Sequence, residues 1–173
     1  FYTDADGQLV TPEKLEYGKG YSLVEVQAPY GYVLDSTPVS FDVTEENATQ
    51  EGTIKLVKVE KPNMAQKGSI SVEKTGEVFF GVNVSGEEGK DVIYQPVYKV
   101  KGLAGATYKI TADEDVVTPD GTLRYHKGDV VDTITTDEEG TAKSKGLYLG
   151  KYTVTETKAP EGMVINKDGH QVE

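Results

Sequence analysis

One offset organises this sequence. The segment Tyr21-Ser-Leu-Val-Glu25-Val-Gln-Ala28-Pro29-Tyr-Gly31-Tyr32 recurs as Tyr152-Thr-Val-Thr-Glu156-Thr-Lys-Ala159-Pro160-Glu-Gly162-Met163, and every matched pair is separated by 152 − 21 = 131 positions. Each copy follows a Gly-Lys turn region (Gly18-Lys19-Gly20 and Gly150-Lys151). Each runs into a short apolar stretch closed by a turn-former, Asp35 or Asn166. A motif repeated once at this distance predicts two similar modules in tandem. We place them at 1–67 and 68–173, with the join near Gln66-Lys67-Gly68.

Each module reads as short strands. Ser69-Ile-Ser-Val-Glu-Lys74 alternates apolar and polar residues, and 106–112 reads as a second strand. Thr118-Pro-Asp-Gly121 and Thr136-Asp-Glu-Glu-Gly140 are turn signals, while 122–127 alternates poorly and is expected to form an irregular hairpin. No window carries a 3.6-residue apolar period, so the expected class is all-β, two tandem sandwiches.

Strand parity then places charge among apolar side chains. Side chains at i, i+2 and i+4 share a face, so Tyr152, Val154 and Glu156 point one way, as do Tyr21, Leu23 and Glu25, and Ile70, Val72 and Lys74. Burying a lone carboxylate or ammonium is costly, and burying them side by side is tolerable. The plain alternatives are a glutamate at a sheet edge, a snorkelling lysine whose ammonium reaches water, and, for Asn63, a turn residue after Pro62. Asn166, by its match to Asp35, is expected to serve a turn.

The two repeated segments resemble the E-box of Gram-positive pilins and Cna B-type (prealbumin-like, SpaA-type, Ig-like) domains, whose pattern runs Tyr-x-Leu-x-Glu-Thr-x-Ala-Pro-x-Gly-Tyr. Leu103-Ala-Gly-Ala-Thr-Tyr108 resembles the family's Leu-x-Gly-Ala-x-Phe segment, and Gly68-Ser-Ile-Ser-Val-Glu-Lys74 its opening Lys-bearing strand. Asn63-Met-Ala-Gln-Lys-Gly68 is similar to the Asn-x-Pro-x-x-Gly junction between modules, with Ala65 where Pro is usual.

In that family a Lys and an Asn side chain often join in an intramolecular isopeptide bond assisted by the E-box Glu. The resemblance therefore assigns Glu25 and Asn63 to the first module and Lys74 and Glu156 to the second. Its chemistry requires a neutral, nucleophilic amine, and burial is expected to raise the Glu pKa so that the acid form hydrogen-bonds the carboxamide oxygen. Both modules are expected to be incomplete at the chain ends. The first lacks a Lys-bearing strand, which would precede Phe1. The second stops at the equivalent of position 173 − 131 = 42, which puts its Asn beyond Glu173. Each holds two members of a three-member set, so no isopeptide bond is expected within either module of these 173 residues.

Composition narrows the function. The net charge of −11 repels nucleic acid and anionic lipid, so neither is an expected partner. Without cysteine there is no disulfide or thiolate chemistry, and some other staple would have to stiffen an extracellular β protein. Asp4-Ala-Asp6-Gly7 and Asp113-Glu-Asp115 do not continue into a calcium loop, and His126 and His170 lack partner spacing; no metal or cofactor is expected.

The resemblance implies a stalk or spacer repeat of a cell-wall-anchored surface adhesin or pilus-like protein, outside a Gram-positive cell. Adjacent repeats of the same polypeptide would be its partners, and it would not be a turnover enzyme. The alternative is an adhesin module that binds a host matrix protein or glycan through the insertion at 77–100. Tyr94 and Tyr98 in that insertion are expected to serve sheet packing on the first reading and ligand contact on the second. A hydrolase on a transthyretin-like fold would need clustered His and Arg, and the sequence has two histidines and one arginine, Arg124.

Overall fold

The computed structural model describes residues 1–51, 54–87 and 90–173, Ile54 by its backbone alone. Two of the insertion's residues, 88 and 89, lie outside the described set. The chain forms two compact units, Phe1–Met64 and Ala65–Glu173. The division falls ahead of the expected 67/68 join because Lys67 and Gly68 already form a strand of the second unit, while the Met64 carbonyl accepts the Val33 N–H at 2.8 Å.

In the first unit, β1 (Gly18–Leu23) pairs antiparallel with β2 (Val39–Val43), and β3 (Thr49–Glu51) with β4 (Ile54–Leu56). Tyr21 stacks on Phe41 at 5.7 Å between ring centroids. Tyr21, Leu23 and Glu25 are all half-buried, as strand parity predicts, while Ser22 and Val24 are exposed.

The second unit carries a closed core. Its strands are β5 (Lys67–Gly68), β6 (Ser71–Glu73), β7 (Thr75–Ser85), β8 (Ile93–Gly102), β9 (Thr107–Ala112), β10 (Val116–Val117), β11 (Leu123–Tyr125), β12 (Val130–Thr135), β13 (Thr141–Lys143), β14 (Leu147–Tyr148), β15 (Tyr152–Lys158) and β16 (His170–Val172). A four-stranded antiparallel sheet in the order β12-β9-β15-β16 forms one layer. The short pairs β6–β13 and β5–β14 supply residues that pack onto it: Val72, Ala142, Leu147 and Tyr148 meet Tyr108, Ile110, Tyr152 and Val154. This is an all-β sandwich. β9 and β15 carry threonine, tyrosine and branched apolar residues that suit a half-buried pleated surface, and they alternate between buried and more exposed positions as period two requires.

The turn signals perform as read. Gly121 and Gly140 adopt φ of 77° and 80° and close turns through N–H donation to Thr118 and Asp137. The irregular hairpin is β10–β11, which has a register shift. Of the alternating stretch 69–74 only Ser71–Glu73 is strand; ahead of it the Ser144 hydroxyl takes the Ile70 N–H in place of a ladder partner. The insertion is a long hairpin, β7–β8, running from Thr75↔Gly102 to Ser85↔Ile93 with a bulge between Phe79 and Gly81.

Candidate functional site

The repeat offset holds in three dimensions. In β1–β2, Tyr21 faces Phe41 and Leu23 faces Val39; in β15–β16, Tyr152 faces Val172 and Val154 faces His170. Adding 131 converts each first pair into the second. Gly31 and Gly162 both sit at positive φ, 82° and 77°, in turns where Tyr32 N–H donates to Pro29 and Met163 N–H to Pro160. The turn-formers match as well. Asp35 Oδ1 accepts the Thr37 N–H at 3.0 Å, and Asn166 Oδ1 accepts the Asp168 N–H at 3.0 Å. These local side-chain-to-backbone turns explain why a short Asx residue stands at both positions.

Both turns serve the E-box glutamate. The Asp35 N–H donates to Glu25 Oε2 at 2.9 Å, and the Asn166 N–H donates to Glu156 Oε2 at 2.7 Å. The sequence gives Asn166 a turn role; its second role, fixing the carboxylate by its main chain, carries no side-chain signature.

In the first unit, Asn63 Nδ2 donates to both Glu25 oxygens, at 2.9 and 2.8 Å, and to the Val33 carbonyl at 3.1 Å. The expectation that the glutamate donates to the carboxamide oxygen is therefore reversed. A carboxylate has only acceptors, so the amide presents its NH₂. Beside this pair, Lys61 Nζ reaches Asp35 Oδ2 at 2.6 Å and the Thr37 carbonyl at 2.8 Å, and holds the Asp35 carboxyl down at about 2.

In the second unit, Lys74 Nζ lies 3.0 Å from Glu156 Oε1, the lysine side chain 21% exposed and the glutamate side chain 3%. Oε1 itself, although ion-paired, receives no hydrogen bond of good geometry. The second unit thus has an amine where the first has an amide. Burial pushes the Glu156 carboxyl up, but the Asn166 N–H, the Lys74 ammonium and the Tyr108 hydroxyl together bring it below its ordinary value. The expected upward shift of this glutamate is thereby corrected: with a cation and a backbone donor at hand, it is held ionised. Tyr108 moves the other way, its phenol pushed up chiefly by burial.

The backbone of Lys74 is gripped on both sides. Its N–H donates to the Gly140 carbonyl at 2.8 Å, and its carbonyl accepts the Leu103 N–H at 2.9 Å. Gly140 and Gly102 pack so closely here that a Cβ at Gly102 would overlap the Glu139 carbonyl, and one at Gly140 would come within 2.6 Å of the Leu103 nitrogen. Sequence reading missed this clasp; Gly140 showed only as a turn residue.

Lys74 and Glu156 sit in a cleft of about 340 Å³ lined also by Ile70, Val72, Asn166 and Val172. Among the described residues, β6 pairs only with β13 and β16 only with β15, so each leaves one edge of its backbone without a strand neighbour.

A family model described as SpaA, the prealbumin-like fold domain, matches residues 1–60 and 96–173. The chain belongs to the SpaA prealbumin-like family. Residues 61–95, which include β6, Lys74 and β7, fall outside the matched segments of this SpaA-type chain. Among solved structures, the Bacillus anthracis TIE protein is similar at 27% identity over 92% of this chain, with a TM-score of 0.46. This SpaA-type chain spans 22% of that protein's length. A variant of BcpA, the major pilin subunit of Bacillus cereus, is similar at 18% identity, covering 99% of this chain and 85% of its own, with a TM-score of 0.28. Both scores lie below one half, so the family assignment rests on the family model. No curated protein matches.

The remaining carboxylate clusters are used locally. Asp4 Oδ1 accepts the N–H groups of Asp6 and Gln8, Asp113 accepts the Thr153 hydroxyl, and Asp115 accepts the Lys127 N–H. Tyr94 and Tyr98 are exposed rather than packed in the core, on a face of the β7–β8 hairpin that is open to solvent among the described residues.

Proposed function

We propose that this chain is a structural spacer from the stalk of a cell-wall-anchored surface protein of a Gram-positive bacterium, and that its chemistry is single-turnover self-crosslinking rather than catalysis. The observation that carries this reading is the difference between the two glutamates. Glu25 Oε1 takes an amide N–H from Asn63, whereas Glu156 Oε1 is buried and faces the Lys74 amine at 3.0 Å. A carboxamide set against Glu156 as Asn63 is set against Glu25 would bring its carbon beside Nζ.

The step balances as follows. Lys74 gives one proton to Glu156, the neutral amine attacks the carboxamide carbon, and Glu156 passes that proton to the departing nitrogen as its C–N bond breaks. The regenerated carboxylate takes the second N–H proton from the new amide, so that the nitrogen leaves as ammonia and carries that last proton away as ammonium. Desolvation by the arriving strand is what would raise the Glu156 pKa enough to take part. Rigid strands supply the proximity, an effect that can reach effective molarities of about 10⁵ M. The partners are adjacent repeats of the same polypeptide.

Pulling on the chain ends tests this. With an Asn-bearing strand supplied in the second cleft, the unfolding length between Lys74 and that strand should be absent, and Lys74→Arg should restore it. Full extension of both proteins would overturn the reading. One observation favours the adhesin alternative, in which a host protein or glycan is the ligand: the insertion displays its aromatic residues to solvent.

A further inference from the structure

One face of the β7–β8 ribbon is apolar and, among the described residues, exposed. Register puts Phe79 opposite Tyr98, Val82 opposite Pro96, Val84 opposite Tyr94, and Glu77 opposite Val100. Counting through the bulge, all four pairs fall on the same side. Phe79, Val82, Val84, Tyr94, Tyr98 and Val100 are between 46% and 68% exposed. The other side is mixed: Val78, Val97 and Ile93 stand there with Lys99, Lys101, Asn83 and Gln95, and Lys99 lies over the Phe80 ring at 3.2 Å. The ribbon's lysines, Lys99 and Lys101, fall on that second side and leave the first nearly uncharged, and a two-stranded ribbon needs a further layer to be stable in water.

We infer that the apolar face of the β7–β8 ribbon docks on the same face of a second copy of this chain, related by a twofold axis. Three features select that occupant. The face is nearly free of charge, with Glu77 at its root as the exception, in a chain of net charge −11; antiparallel stacking keeps the two Glu77 side chains at opposite ends. An acidic chain with an uncharged face meets its own copy there without opposing like charges, as an isologous contact requires. The area is also sufficient. Three aromatic and three valine side chains at these exposures offer about 600 Å² per copy, or about 1,200 Å² in the pair, at the lower bound of specific interfaces. Finally, Phe79 and Tyr98 already pack edge to face at 6.2 Å, which presents a preformed surface.

The full 173-residue chain tests this by sedimentation velocity from micromolar to half-millimolar concentration. A reversible dimer is expected, with Phe79→Ser/Tyr98→Ser weakening it at least about tenfold. Circular dichroism should report unchanged folding, since both rings are solvent-exposed. Because the chain has no cysteine, Val82→Cys gives a single thiol on the docking face and Asn83→Cys one on the opposite face. Under mild oxidation the first should form a disulfide dimer much faster than the second. A chain that stays monomeric throughout, a dimer indifferent to the serine pair, or equal cross-linking by the two cysteines overturns the inference. A monomer that instead binds a matrix protein or glycan through this face does so as well. The Lys74–Glu156 reading stands or falls separately.

Discussion

The main-chain N–H of Asn166 donates to Glu156 Oε2 at 2.7 Å, fixing a carboxylate whose residue is 4% exposed. The same bond joins Asp35 to Glu25 in the first unit. Proline has no N–H to give. Asn166→Pro should therefore destabilise the second unit by about 1–3 kcal/mol, the range for stranding a buried acceptor. Asn166→Asp, which copies the first unit, should be tolerated far better. Urea unfolding of the three proteins checks the ordering.

Lys74 shares with the Asn166 N–H the offsetting of Glu156's burial. In Lys74→Met the carboxyl keeps the Asn166 N–H but loses the ammonium, so the Glu156 pKa should rise from its lowered position. Stability at neutral pH should fall by about 1–3 kcal/mol, less than for a fully buried pair because the lysine side chain is 21% exposed. Carboxyl carbon NMR titration reads the first effect and denaturant unfolding the second. A Glu156 pKa unmoved by the substitution would contradict the pairing.

Acid should act on the two units through depressed carboxyls. Asp35 is lowered from 3.8 to about 2, mainly by Lys61 and then by Thr37, and Glu156 is lowered from 4.5. A carboxyl whose folded pKa is depressed contributes stability above its unfolded pKa and loses it as pH falls through the folded value. The Asp35 contribution should thus fade between about pH 4 and pH 2, and Lys61→Met should return its titration towards the ordinary value. The chemical shift of each carboxyl against pH is the measurement.

The glycine clasp predicts an effect at a distance. Gly102→Ala should displace the Glu139–Gly140 turn and, through the Lys74 N–H bond to Gly140, shift the amine away from Glu156. Overpacking of this kind typically destabilises by about 1–3 kcal/mol. The loss of the Glu156 pKa depression, rather than the stability change alone, identifies displacement of the pair.

Much of this was legible because strands with one inward face write their parity into the sequence. Tyr152, Val154 and Glu156 alternate with threonines, and the structure buries those three. Side-chain partners that face each other across a sandwich, such as Lys74 and Glu156, could be placed on the same interior by that parity. Bonds made by the main chain could not. The Asn166 N–H and the Gly140 carbonyl act identically whatever side chain they carry, so nothing in the residue names announces them. The charge state of Glu156 was misread for a related reason. Burial alone raises a carboxyl, and only the assembled donors reverse it. The ribbon's exposed tyrosines illustrate the converse: an alternating aromatic strand looks the same whether or not another layer covers it.

The central claim is that the cleft holding Lys74 and Glu156 is chemically complete but for a carboxamide carried on a neighbouring strand. The repeat says how to supply one: append the sequence of residues 43–64 after Glu173, which by the 131-residue offset puts an asparagine at 63 + 131 = 194. Intact mass spectrometry of the folded product then gives the answer. The account predicts a mass short by one ammonia, a cross-linked peptide containing Lys74, and full mass in the Lys74→Arg and Glu156→Ala variants. A folded, extended protein that keeps its full mass would contradict it.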